Sequence, residues 1–225
     1  MYRRYVTFLV VCVGILCACM SECHAQTQDQ RIRSVIDNLR SAQSGLVEKA
    51  RTEIKKIGTP VTPYLNQLLN NDKSSTVRRE AALGLMRLGA TTKEAQTYLT
   101  NALKRDNDSR VRIAVAQALA HTNQATNNAL PALLDALKHD KDGSVRRFCL
   151  YAISFSLGNT GVIIPAMIDA MTLDKDAGVR RFAAQALGWK GAEAQIGIPA
   201  LKEAIQKDKD GEVRMLAIDA VRAIS

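Results

Sequence analysis

Acidic and basic side chains recur in this chain at a fixed interval. Val-Arg occurs at Val77-Arg78, Val111-Arg112, Val145-Arg146, Val179-Arg180 and Val213-Arg214, evenly spaced, with an Asp six residues before each Arg at Asp72, Asp106, Asp140, Asp174 and Asp208. Carboxylate–guanidinium pairs can bind anions, orient a substrate or tune an acid–base group. A pair repeated identically in every unit points elsewhere, to something that holds the units together.

Other candidate chemistry thins out on inspection. The Asp-Lys-Asp-Gly stretches at 140–143 and 208–211 have the start of a calcium loop, but the twelfth position counted from Asp140 is Tyr151, not the bidentate Glu that such a loop needs. The histidines are His24, His121 and His139, and no Ser-His-Asp set, Gly-rich phosphate loop or His-x-x-x-His can be assembled. Of the five cysteines, Cys12, Cys17, Cys19 and Cys23 cluster near the start. That leaves Cys149 alone on a core-facing position, without a disulfide framework. The expectation is a chain that is not an enzyme, with no cofactor and no metal.

The elements that carry these residues follow from the same period. Five in-phase copies predict a stacked-repeat protein in which each unit buries its apolar face against its neighbours. A first helix is read at Pro131–Lys138, Pro165–Met171 and Pro199–Ile205; Pro63 shares the phase and Thr97 replaces the proline in the intervening copy. Proline suits a helix start, because its missing N–H costs nothing there. An Asp-x-Asp turn follows (Asp106/Asp108, Asp140/Asp142, Asp174/Asp176, Asp208/Asp210), whose second Asp, or Ser109 and Ser144 nearby, is placed to cap the next helix. That second helix has Val at +0, a small residue at +4, an aliphatic at +8 and often Gly near +12, a single buried stripe. A weaker copy precedes the five: Leu46, Ala50, Ile54, Ile57 and Gly58 match Val77, Ala81, Leu85, Leu88 and Gly89, after a first helix from Arg31 to Ala42. The expected fold is all-α, an α-solenoid of about six antiparallel helix pairs with a 34-residue period.

A 34-residue period also belongs to tetratricopeptide repeats, but their Trp-x-x-Leu-Gly-x-x-Tyr pattern is absent, as is the Thr-Pro-Leu-His of ankyrin repeats. Asp-x-Asp-x-x-Val-Arg-x-x-Ala followed by a Pro-Ala-Leu helix resembles HEAT repeats of the short phycobilisome-lyase type, over roughly residues 30–225. The resemblance implies a right-handed, armadillo-like superhelix. It also implies that the Asp and Arg form a hydrogen-bonded ladder between adjacent repeats, here Asp72/Arg78, Asp106/Arg112, Asp140/Arg146, Asp174/Arg180 and Asp208/Arg214. Some HEAT-repeat hydroxylases bind iron through His-Glu pairs, and no His-Glu dipeptide occurs here. Bilin lyases built from such repeats work with a second subunit and supply an enzyme-class alternative. Function does not follow from the fold alone.

With the stripe at +0, +4 and +8, positions +2, +6 and +9 of the second helix are expected in solvent, on the concave side of an array curved as HEAT arrays are. They include Arg79, Arg147, Tyr151, Ser154, Arg181, Gln185 and Gly188. Arg147, Tyr151, Arg181 and Gln185, with Arg79 further along the row, are the candidate partner-binding residues. Phe148, Phe155, Phe182 and Trp189 fall at +3 and +10, on the flank, as packing between repeats or as the edge of an interface. The last repeat has apolar Leu216, Ile218 and Ile224 and no polar closing helix after it, which suggests docking on a second copy or on a partner.

The first 25 residues read as a secretory signal: Arg3 and Arg4, an apolar run from Val6 to Leu16, and Cys23-His24-Ala25 for cleavage after Ala25. Ile15-Leu16-Cys17-Ala18-Cys19 also resembles a bacterial lipobox, which would lipidate Cys19 and end the leader at residue 18. Both processing sites stand, and with Cys19 lipidated the chain would act as an envelope tether. The expected organisation is 1–25 signal peptide (1–18 for a lipoprotein), 26–58 linker and degenerate capping pair, and 59–225 five repeats. Removing the leader takes the formal charge from +9 to +8, since Arg3, Arg4 and Glu22 go with it. An exported basic chain in a bacterial periplasm or cell envelope meets anionic lipid, polyanionic wall polymers or acidic proteins before it meets nucleic acid. The expected partner is therefore a protein with an acidic surface, with the membrane reached only through a lipid anchor.

Overall fold

The computed structural model describes residues 27–89, 92–121, 123–156 and 159–225. The leader, the cleavage position after Ala25 and Cys19 lie outside the described residues. The chain divides into two compact units, Met1–Val61 and Thr62–Ser225. The division falls three residues beyond the expected 58/59 boundary. A 3₁₀ turn, Thr59–Val61, holds buried Val61, whose N–H donates back to the Gly58 carbonyl. Among the described residues every regular element is helical, as the period requires.

In the first unit, α1 (27–40) and α2 (Ser44–Ile57) form a hairpin closed by Ile32, Val35, Leu39, Ala50, Ile54 and Ile57. Arg31 on α1 donates to Glu53 on α2 through Nε at 2.8 Å, the crossing expected of antiparallel neighbours. Gly58 ends α2 with φ 74°, a left-handed conformation that a side chain resists.

The second unit holds five helix pairs: α3 (Thr62–Asn71) with α4 (Ser75–Arg87), α5 (Lys93–Arg105) with α6 (Ser109–Ala120), α7 (Asn123–His139) with α8 (Gly143–Ser154), α9 (Thr160–Leu173) with α10 (Ala177–Lys190), and α11 (Ile198–Lys207) with α12 (Gly211–Ile224). First helices pack on first helices and second helices on second, giving two layers. The second helices begin at 75, 109, 143, 177 and 211, without a slip. Their buried stripe is Val77, Val111, Val145, Val179 and Val213, then Ala81, Val115, Cys149, Ala183 and Ala217, then Leu85, Leu119, Ile153 and Leu187. Each fully buried Leu or Ile contributes about 2 kcal/mol. Cys149 belongs to this stripe as expected, and burial pushes its thiol far above the usual range.

Two expectations need correction. Pro131 and Pro165 lie inside α7 and α9 and do not open them; Pro199 and Pro63 do sit near their helix starts. Helix continues upstream of the two prolines because the preceding residues, Ala129 and Leu130 in one repeat and Ile163 and Ile164 in the other, are buried and must face the core. Position +9 is also withdrawn from solvent wherever another repeat follows. Ser154 is buried, and Met86, Ala120 and Gly188 are half-buried. A Cβ built on Gly188 would lie 3.1 Å from the Cα of Ala220, so this position is where α10 and α12 meet.

The turns join the repeats. Asp108, Asp142, Asp176 and Asp210 cap α6, α8, α10 and α12, each accepting from backbone N–H groups of the first turn. The other Asp of each turn does more. Asp140 accepts the N–H of Asp142 on Oδ1, and both its oxygens receive the fork of Arg112 from the preceding repeat, at 2.7 and 2.8 Å. Arg112 also donates to the carbonyl of Asp106 in its own turn, 2.8 Å away. The same joint is made by Arg78 with Asp106, Arg146 with Asp174 and Arg180 with Asp208, always 28 residues apart. Within one repeat, the pairing of Asp72 with Arg78, or of Asp208 with Arg214, runs through the backbone carbonyl and not the carboxylate.

The joint between Arg146 and Asp174 is nearly dry, its side chains 5% and 8% exposed. Removing one partner of a buried pair strands the other charge. Asp174→Ala is expected to cost about 3–5 kcal/mol in urea unfolding, while Asp169→Ala, on an exposed stretch of α9, changes stability by less than about 0.5 kcal/mol. Equal losses would show that the fork does not hold the stack.

Acid has a defined effect as well. The Arg180 guanidinium holds the Asp208 carboxyl below the usual carboxylate range, and the Ser109 hydroxyl does the same for Asp142. A carboxyl whose folded pKa is lowered lends stability above its unfolded value of about 3.9, and that stability is lost as pH falls through the folded value. The urea midpoint is expected to drop between pH 5 and pH 3, and to drop less steeply in Asp208→Asn. An unchanged slope in that variant would exclude Asp208 as a contributor.

Candidate functional site

The ladder accounts for most of the sequence-predicted charged residues, and it recurs in every repeat. The crevices beside it recur too: one is lined by Asp72, Arg78 and Asp106, another by Asp106, Arg112 and Asp140, a third by Asp174, Arg180 and Asp208. A cleft that repeats with the period belongs to the stack and not to one site. Among the described residues no group of three or more His, Cys, Asp and Glu could hold a metal ion. No described helix is long and apolar enough to cross a membrane.

The aperiodic feature lies on α8 and α10. Tyr151 on α8 and Phe155 at its C-terminal cap, four residues apart, project to one side, and Phe182 and Trp189, seven apart, project from α10 to meet them. The rings make a chain of contacts across the repeat boundary. Tyr151 meets Phe155 edge-on at 4.8 Å between centroids and Phe182 at 6.0 Å; Trp189 meets Phe155 at 5.9 Å and Phe182 edge-on at 5.5 Å. These are favourable aromatic geometries. The rings are nevertheless not core: Tyr151, Phe155 and Trp189 are 37%, 46% and 54% exposed. The flank aromatics are therefore packing between repeats and exposed surface at once.

The spacing that assembles them is visible in the sequence. Phe148 and Phe182 share position +3, and Phe155 and Trp189 share position +10, one period apart. The +10 row begins with Arg87 and His121, both exposed, before it turns aromatic.

Of the residues expected at the interface, the structure brings Arg147, Tyr151, Arg181 and Gln185 onto these two helices, and Arg147, Tyr151 and Gln185 are exposed. Arg79 stays apart, half-buried on α4, where its Nη2 donates to Glu80 at 3.1 Å. Arg181 is present but its charge is spent. Nε donates to Asp210 at 2.9 Å, and Nη1 lies 2.6 Å from Glu212. The expected basic patch thus narrows to Arg147, whose guanidinium lies 5.8 Å from the Phe148 ring centroid. Lys190 adds a second cation beside Trp189, its Nζ 3.4 Å from the Ser156 carbonyl.

Comparison with known proteins agrees with this architecture. HEAT repeats match residues 32–120 and 130–222. No curated protein matches the chain. Among solved structures, the Escherichia coli protein YibA superposes with a TM-score of 0.63 at 23% identity, over 88% of this chain and 73% of that one. Kap95 in its complex with Nup1 gives 0.59 at 18% identity, over 88% of this chain and 29% of Kap95. Kap95p bound to RanGDP gives 0.58 at 16%, over 88% and 28%. At these identities the likeness is one of fold, and the chain spans under a third of Kap95. Two blocks of matching repeats covering most of the chain, on a two-layer stack of helix pairs joined by Arg–Asp forks, make it a member of the HEAT-repeat family.

Proposed function

We propose that this chain is an exported, non-catalytic binding module that engages a protein with an acidic surface through the α8–α10 face, in the periplasm or cell envelope of a bacterium. The observation that carries the reading is the row of half-exposed rings spanning two consecutive repeats beside Arg147. Rings and Arg at the centre of a surface are the composition of an interface hot spot. The fold supports it in kind, since in two solved structures Kap95 is bound to another protein. Export rests on the leader, and an envelope tether on Cys19. The bilin-lyase alternative rests on the repeat type alone.

Affinity capture from envelope extract tests the face. The intact protein is expected to hold a partner that the triple variant Arg147→Ala, Tyr151→Ala, Trp189→Ala loses, with the variant's circular dichroism unchanged although the four ring contacts, each about 0.5–1.5 kcal/mol, go with Tyr151 and Trp189. Equal capture by both proteins would sink the face.

Self-association through the last repeat is a second reading with its own observation. Ile218 is 37% exposed and Val221 half-buried, whereas the residues one period earlier, Ala184 and Leu187, are fully buried against the next repeat. Light scattering is expected to give a dimer that Ile218→Lys converts to monomer. A monomer at every concentration would remove this reading.

A further inference from the structure

The helices that carry the rings have an unusual charge balance. α6, α8 and α10 contain Arg110, Arg112, Arg146, Arg147, Arg180, Arg181 and Lys190, and no Asp or Glu at all. The neighbouring acids lie in the turns and in the 3₁₀ stretch after α10, where Glu193 is exposed, and those of the turns are largely engaged. Asp108 holds Arg110, the ladder carboxylates hold Arg112, Arg146 and Arg180, and Asp210 with Glu212 holds Arg181. Among the described residues Arg147 makes no ion pair, and it is exposed beside Tyr151 on the same helix.

Why Arg147 is open follows from one position. Arg147 and Arg181 occupy the same place in consecutive repeats. Arg181 is closed by a cap aspartate, Asp210, and by Glu212 two residues later. The equivalents facing Arg147 are Asp176 and Gly178. Asp176 spends Oδ1 on the N–H groups of Gly178 and Val179 just as Asp210 does on those of Glu212 and Val213, so the position that differs between the two repeats is residue 178. Gly178 offers no carboxylate, and Arg147 Nη1 lies 3.6 Å from where its Cβ would stand. One repeat thus carries a second carboxylate at this position, and its neighbour keeps only the cap aspartate and leaves the place of the second vacant beside an exposed aromatic floor.

We infer that the partner fills this place with an acidic peptide segment. One carboxylate pairs with Arg147, and a bulky apolar side chain a few residues along the segment lies on Tyr151, Phe155 and Trp189. This deepens the binding-module reading above and rests on it. Charge complementarity selects the occupant: the open groups of the face are Arg147 and Lys190, and an Arg fork favours a bidentate carboxylate. Gly178 is the determinant of the site, since a Glu there would reproduce the closed arrangement of Arg181, Asp210 and Glu212.

The test begins with a random-peptide display library selected on the purified protein and counter-selected on its Tyr151→Ser, Trp189→Ser variant. Enriched sequences are expected to place Asp or Glu within about four residues of Trp, Phe, Tyr or Leu. The leading peptide is then titrated against the fluorescence of Trp189, the only tryptophan in the chain. Its emission is expected to shift to the blue. Arg147→Gln and Gly178→Glu should each weaken binding roughly tenfold, the scale of one charge-assisted pair, with circular dichroism unchanged. Gly178→Gln, which fills the same space without the charge, should stay within about twofold of the parent protein. Uncharged apolar winners that bind Arg147→Gln as tightly as the parent would overturn the acidic chemistry and leave the aromatic face standing. A Trp189 shift with phosphatidylglycerol vesicles but with no enriched peptide would overturn it in favour of a membrane surface. No enrichment over the counter-selected variant, and no shift with vesicles, would overturn the face itself.

Discussion

The stack depends on one interaction: an Arg fork that reaches from each turn to the carboxylate of the next. Its geometry is demanding. A single guanidinium satisfies a carbonyl in its own turn and both oxygens of an Asp in the following turn, and that Asp also accepts a turn N–H. Burying such a pair costs desolvation energy that roughly offsets its attraction, so the net gain over an apolar joint is small. What the pair imposes is register. A slip of either layer by one helical turn would leave a guanidinium and a carboxylate buried without partners, at several kcal/mol. Apolar stripes of Val, Ala and Leu could slide past each other at far lower cost.

Because the turns consume the acids, the charge of the surface is decided there as well. In each Asp-x-Asp turn one carboxylate is committed to a fork and the other to a cap, and the second helices between them are left mostly basic or uncharged. Binding character then depends on a few positions outside the stripe: +2, +3, +6 and +10. In α4 these read Arg79, Glu80, Leu83 and Arg87, in α8 Arg147, Phe148, Tyr151 and Phe155, and in α12 Met215, Leu216, Asp219 and Ala223. Neighbouring repeats thus share a frame and differ in the face they present.

Periodicity makes the frame legible in the sequence. Five Val-Arg steps and their Asp partners specify the helix pairs, the caps and the residues of the ladder, since any feature needed by every repeat must appear in every repeat. What one repeat alone does is harder to read. The prolines look like helix starts because that is where an isolated helix tolerates them; buried Leu130 and Ile164 upstream keep the backbone helical regardless. The closing of Arg181 by Asp210 and Glu212 spans a repeat boundary, at an offset that no local pattern carries. Position +9 points away from the stripe on a helical wheel, yet it is covered where a small residue lets the next helix approach, as Gly188 does at Ala220. The rings at +3 and +10 are ambiguous for a physical reason, since an aromatic on the flank can touch its neighbour and still keep one face wet.

The constancy of the fork's reach has a consequence for how such a chain can change in length. Every fork is made between equivalent atoms of consecutive units, so cutting out one whole repeat from within the array would bring Arg112 opposite Asp174 with the geometry it now has with Asp140. Duplication of one unit leaves its joints equally intact. Recombination between copies is thereby structurally silent at the seams, and the array is free to grow, shrink or shuffle its faces by whole units. A change of length inside a helix, by contrast, would turn the fork away from its partner, and the count from Val77 to Val213 runs without an insertion.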